Sequence, residues 1–174
     1  MRSVARVLAL SLAVAALLAW GPLERGAGQA PAPMVFVATL ATYEEAPAVQ
    51  AATPATAAGS AAILFDPGTN RVTVSVAFTG LSARPNIGHF HRGAAGAPGP
   101  VWLTICGAPA PAAAGACPNA TSGFITATAT LPAALQRGVT PQAFISALMD
   151  GGLYLNFHTQ LNPAGEIRGQ VLGR

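Results

Sequence analysis

The segment AAILFDPGTNRVTVSVAF, residues 61–78, decides how the chain is read. Val72, Val74, Val76 and Phe78 alternate with Thr73, Ser75 and Ala77. A period of two puts alternate side chains on opposite faces of a strand, so one face is apolar and the other small and polar. Upstream, AAILF is a second apolar run. Between the two runs lies DPGTN, whose Asp66, Pro67 and Gly68 favour a turn. Strand, turn and strand predict a β-hairpin.

The same reading extends outward in both directions. MVFVATL (34–40) is apolar and β-branched without a helical period, and is predicted as a strand. VWLTIC (101–106), GFITATATL (123–131) and LYLNFHT (153–159) are further strands, and EIRGQVL after the NPAG turn pairs as a hairpin partner. Segment 41–59 is rich in Ala and Thr and reads as a loop, with Glu44 and Glu45 solvated. One helix is expected over 140–150. Thr140 is its N-cap, Pro141 fits its first turn, and Gly151 or Gly152 ends it. Phe144, Ile145, Leu148 and Met149 are its predicted apolar face. Trp102 is predicted to pack in the core. About eight short strands with one helix point to a mainly β fold, an antiparallel sandwich or barrel.

Composition agrees with a packed single domain. Of 174 residues, 52% are hydrophobic and 9% charged, which is too apolar for a disordered chain. The formal charge of +3 is partly a property of the first thirty residues. Without Arg2, Arg6, Arg25 and Glu24, six arginines face five acids. A body so nearly neutral has no basic patch for nucleic acid. MRSVAR, then VLALSLAVAALLAW, then GPLERGAGQA has the layout of a secretory signal with a Pro/Ala-rich lead-in over residues 1–30. The apolar run is short of the ~20 residues that a membrane span needs, although an uncleaved anchor is the competing reading. Cleavage is expected near Gly28 or Ala30, leaving a single β domain at 34–174 with no membrane span and a periplasmic or extracellular destination.

Cys106 and Cys117 close a Gly/Pro/Ala loop, and in an exported chain they are expected to form a disulfide. Two thiolate metal ligands are the alternative, but their spacing matches no zinc pattern. The chain has three histidines. His89 and His91 flank Phe90, so on a strand both imidazoles project to one face, ~6.5–7 Å apart, with Phe90 in the core. His158 shares its face with Tyr154 and Asn156. If the two strands are neighbours, three imidazoles meet, a donor set that suits copper or zinc; zinc would want a fourth ligand. Hydrogen-bonded histidines without a metal are the alternative. Glu166 and Arg168 lie two apart. An exposed ion pair is the favoured reading; in the other, Glu166 or Arg168 orients His158 or its neighbours from behind, with Asn156 as a further supporting residue. No catalytic triad, phosphate loop or carboxylate pair can be assembled.

Four segments carry a family resemblance: FVATL…EEAP, GSAAILFDPGTNRVTVSVAFTGL, GHFHRGAAGAPGPVW and GLYLNFHTQLNPAGEIRGQV. In this order they resemble a CHRD domain, the module named after chordin and also found in bacterial secreted proteins. The resemblance spans roughly residues 34–173 and implies an extracellular, mostly β, immunoglobulin-like binding module. A lesser resemblance links GHFHRG and NFHT to the metal strands of copper–zinc superoxide dismutases. It implies a superoxide-dismutase-like β fold with His89, His91 and His158 as copper ligands. The chain departs from that family in having no bridging histidine and no zinc-ligand cluster, and Arg168 is only a candidate substitute for the family's late arginine. Three functions follow: a secreted binding module holding copper, a copper-only superoxide dismutase-like enzyme, and a structural or adhesive module without metal. An extracellular protein or surface is the expected partner.

Overall fold

The computed structural model describes residues 31–49, 53–54 and 56–174; the leader expected over residues 1–30 lies outside them. Eight principal strands form one antiparallel sheet. They are β1 (Met34–Ala41), β2 (Ala58–Asp66), β3 (Arg71–Thr79), β4 (Pro85–Arg92), β5 (Val101–Cys106), β6 (Gly123–Thr130), β7 (Leu153–Thr159) and β8 (Ile167–Gln170). Their spatial order is β5-β4-β7-β8-β1-β2-β3-β6, and a two-residue β9 (Leu172–Gly173) adds to β1. The predicted hairpin is β2–β3, with Asp66 opposite Arg71 and Asp66 Oδ1 accepting from Gly68 N–H at 2.9 Å.

The sheet curls into a nearly closed barrel. Its edge strands are β5 and β6, and residues 131–139 bridge them. Leu135 pairs with Leu103, and Gln136 N–H donates to Trp102 C=O at 2.9 Å. This covering of edges limits the open hydrogen-bonding rows that would recruit another chain. Inside lie the alternate residues of every strand, among them Phe65, Val74, Phe90, Leu103, Leu155 and Phe157. The helix α1 (Pro141–Met149) packs Phe144 against Phe90, with ring centroids 5.7 Å apart. Thr140 Oγ1 accepts from Ala143 N–H at its start, as expected. No helix among the described residues is long and apolar enough to cross a membrane.

Three expectations need correction. Met149 is exposed, and Ala147 takes its place on the buried face with Phe144 and Leu148. The last turn lies at the chain terminus, where Met149 lines a surface hollow with Met34, Val35, Phe36 and Gly173. Trp102 is only partly buried, packing on the rim of the core beneath Arg92, whose guanidinium carbon lies 5.9 Å from the ring centre. The loop predicted at 41–59 gives up its last two residues to β2, since Ala58 and Gly59 already pair with Thr79 and Phe78.

The strands that matter most are β4 and β7. Their register sets His89 opposite Asn156, Phe90 opposite Leu155 and His91 opposite Tyr154. Gly88 is required there, because a Cβ would stand 2.7 Å from the Phe157 ring. Gly88→Ala is therefore expected to cost about 2 kcal/mol through forced displacement of Phe157. Urea unfolding measures this; an unchanged midpoint would contradict the packing.

Candidate metal centre

All seven residues of β7 are buried, although only one face of the strand meets the apolar core. The other face carries Tyr154, Asn156 and His158 and is roofed by loops. Beside it β4 contributes His89 and His91, and β8 contributes Arg168 and Gln170, opposite Asn156 and Tyr154. The result is a polar layer pressed between sheet and loops.

The predicted histidines converge. Ring centroids are 5.2 Å apart for His89–His91, 5.2 Å for His89–His158 and 5.9 Å for His91–His158. One ligand nitrogen from each lies within 4.8 Å of the others. Exposures of 5%, 7% and 7% leave only their edges at the surface.

Backbone carbonyls in three separate loops fix the proton on each ring. A carbonyl oxygen only accepts, so the nitrogen facing it carries the hydrogen. His89 Nε2 donates to Ala108 C=O at 2.6 Å, His91 Nδ1 to Gly99 C=O at 2.9 Å, and His158 Nδ1 to Pro163 C=O at 3.0 Å. In neutral rings the lone pairs are then His89 Nδ1, His91 Nε2 and His158 Nε2. His91 Nε2 is buried without a partner, and His89 Nδ1 stands 3.3 Å from His158 Nε2. With both N–H groups committed elsewhere, no proton joins these two nitrogens. Two bonds of ~2.0–2.1 Å at a tetrahedral angle span a separation of ~3.3 Å. Three acceptors with no donor between them fit a cation.

The rings resist taking up protons instead. Burial holds His91 and His158 down to about 4 and lowers His89 as well, while the carbonyl bonds partly oppose the shift. Carbonyl contacts of this kind are the outer hydrogen bonds that orient imidazoles where a metal is bound. The Ala108 loop is tied down by the Cys106–Cys117 disulfide, which the structure contains as expected.

Glu166 and Arg168 contradict the exposed-pair reading. Their exposures are 0% and 1%, and each has other partners. Glu166 accepts from Ser82 N–H and Oγ, from Thr159 Oγ1 and from Asn162 Nδ2. It thereby clamps the turn that presents Pro163 C=O to His158. Arg168 Nη2 donates to Ala94 C=O at 2.7 Å, and its guanidinium carbon lies 3.5 Å from the centre of the Tyr154 ring. Tyr154 in turn stacks on His91, with centroids 4.8 Å apart and planes 6° apart.

Glu45 was expected in solvent and is buried. Its Oε2 accepts from Asn156 Nδ2 at 3.2 Å, while Oε1 has no partner. Burial pushes its carboxyl up to about 8, against the opposing pull of Arg168 and Asn156. Sequence reading missed it because its Ala/Pro-rich segment has no period; its only signal was its place just after β1. Tyr154 was noted only as sharing the face of His158. Thr104, opposite His89, was also missed. The six buried side-chain atoms without a partner among the described residues belong to Glu45, His91, Thr104, Asn156, Arg168 and Gln170, all in this layer.

The fold and this layer belong to a mainly β module with a histidine-lined centre. The chain is a member of the CHRD-domain family, whose model matches residues 36–171. No curated protein and no solved structure matches it significantly.

The titrations have opposite signs in the metal-free chain. The lowered histidines contribute stability above 6.5, which is lost as pH falls through about 4. Glu45, raised from 4.5, contributes stability below 4.5, which is lost as pH rises through about 8. Glu45→Gln removes only the second loss. Thermal melts of the variant and the parent should differ least at pH 5, with the variant melting higher at pH 8. An offset that does not change with pH would contradict a buried, neutral Glu45.

Proposed function

We propose that this chain is an exported CHRD-domain binding module that carries one copper ion on His89, His91 and His158. The observation that supports this most is the convergence of three imidazole lone pairs whose N–H groups are all committed to backbone carbonyls. The donor set favours copper over zinc. Imidazole suits both, but structural zinc closes a fourth position with thiolate, imidazole or carboxylate. Neither Glu45 nor Glu166 belongs to the cluster of ligand atoms. Asn156, Glu166 and Arg168 act behind the ligands. Glu166 holds the His158 carbonyl partner in place, Arg168 holds Tyr154 against His91, and Asn156 spaces Glu45 from the centre.

Residues 1–30 are read as the secretory leader and 34–174 as the exported domain. The disulfide and the family are consistent with an extracellular protein. Its partner is then an extracellular protein or surface.

A copper-only superoxide dismutase-like enzyme is the second reading. It draws on the three-nitrogen set, which leaves one side of an ion free of protein ligands, as catalytic centres do. The burial of Arg168 counts against it, since a guanidinium with 1% exposure is not displayed to an incoming anion. The third reading, an adhesive module without metal, leaves the facing lone pairs unexplained.

Protein purified from the native compartment and dialysed is expected to retain about one copper per chain by mass spectrometric metal analysis. His89→Ala and His158→Ala should lose it while keeping the fold. No copper bound at micromolar concentration would refute both metal readings. Superoxide dismutation by the loaded chain that disappears in His89→Ala would favour the enzyme over the binding module.

A further inference from the structure

The geometry points to a centre selective for the monovalent cuprous ion over divalent cations, with Arg168 setting that selectivity. This rests on the metal-binding reading above and adds the charge of the ion.

All three converging donors are neutral imidazole nitrogens. Beside them on β7 and β8 stand two amides, Asn156 and Gln170, and a phenol, Tyr154, none of which carries a negative charge at neutral pH. The permanent charge stacked behind the ligands is positive. Arg168 is a guanidinium, charged throughout the physiological range. It lies against Tyr154, which takes Arg168 from β8 on one side and stacks on His91 from β4 on the other.

Two carboxyls could cancel that charge. Glu45 comes from the loop after β1 and makes no hydrogen bond to the guanidinium; its raised pKa keeps it largely protonated at neutral pH. Glu166, two residues before Arg168, places its oxygens on Ser82, Thr159 and Asn162. A cation entering the centre therefore has a guanidinium stacked directly behind its ligands, and the Glu166 carboxylate, turned toward Ser82, Thr159 and Asn162, offsets that charge only in part. The penalty scales with the charge of the ion, so a divalent ion pays twice what a monovalent one pays. Coordination points the same way. Zinc seeks four ligands, calcium and magnesium seek oxygens, and soft cuprous copper needs neither.

The test is a competition titration of the metal-free chain at pH 7. Cu(I) is supplied under argon against bicinchoninate, Cu(II) against nitrilotriacetate, and Zn(II) against a chelating dye. Cu(I) is expected to bind more tightly than either divalent ion. Arg168→Gln should improve the divalent affinities relative to Cu(I) by roughly tenfold, the scale of one unit charge at an effective protein dielectric. Arg168→Lys, which keeps the charge, should preserve the parental order. Near-ultraviolet circular dichroism checks the fold of each variant; if the Gln variant does not fold, the parent and the Lys variant still decide. Divalent binding equal to or tighter than Cu(I) in the parent would overturn the inference, as would an unchanged ratio in a folded Gln variant. Either result leaves the three-histidine site standing, whereas binding of none of the three ions would remove the site itself.

Discussion

The pairing of β4 with β7 is the constraint on which the centre depends. Side chains alternate along both strands, so a slip of one residue would send every imidazole into the apolar core and every phenylalanine into the polar layer. Phe90 and Phe157, both fully buried, penalise that slip. The fit of Phe157 over Gly88 fixes the register from within the barrel. On its other side β4 meets β5 with register shifts at Gly88/His89 and Phe90/His91. Irregularities of this kind re-aim side chains. They fall at the two histidines and not elsewhere along that pairing.

The register brings the rings together, but the loops decide what the rings can do. Ala108, Gly99 and Pro163 lie in three different loops, and each carbonyl takes one imidazole hydrogen. Covalent and ionic chemistry hold two of those loops in place. The disulfide closes the first, and Glu166 gathers the turn of the third. A buried carboxylate with this many donors is a structural clamp, and removing its partners would leave an unpaired charge in the interior. The layer thus reads as a set of proton positions fixed from outside, with the lone pairs left facing inward.

Much of this was legible in the chain. The alternation in RVTVSVAF, the DPGTN turn and the Thr140-Pro141 helix start all report local physics, and each sits where expected. The three histidines were legible because the period of two ties i to i+2. What stayed hidden is what covers a face. Tyr154, Asn156 and His158 alternate with Leu155 and Phe157 as a half-exposed strand would, yet loops rich in Ala, Gly and Pro bury them. Such loops carry no period, so nothing local says that they fold back over the sheet. The same gap turned Glu166 and Arg168 into an expected surface pair and Glu45 into a solvated acid. Burial of a charge is settled by distant partners, here Ser82, Ala94 and Tyr154, and not by spacing.

The most direct test of the centre is long-range proton–nitrogen NMR of the imidazoles in the metal-free chain at neutral pH. Three neutral rings are expected, with the hydrogen on Nε2 of His89 and on Nδ1 of His91 and His158. Adding diamagnetic Cu(I) should then shift His89 Nδ1, His91 Nε2 and His158 Nε2 while leaving the three protonated nitrogens in place. A spectrum with the opposite tautomer at any of the three, or with a shared proton between His89 and His158, would contradict this assignment.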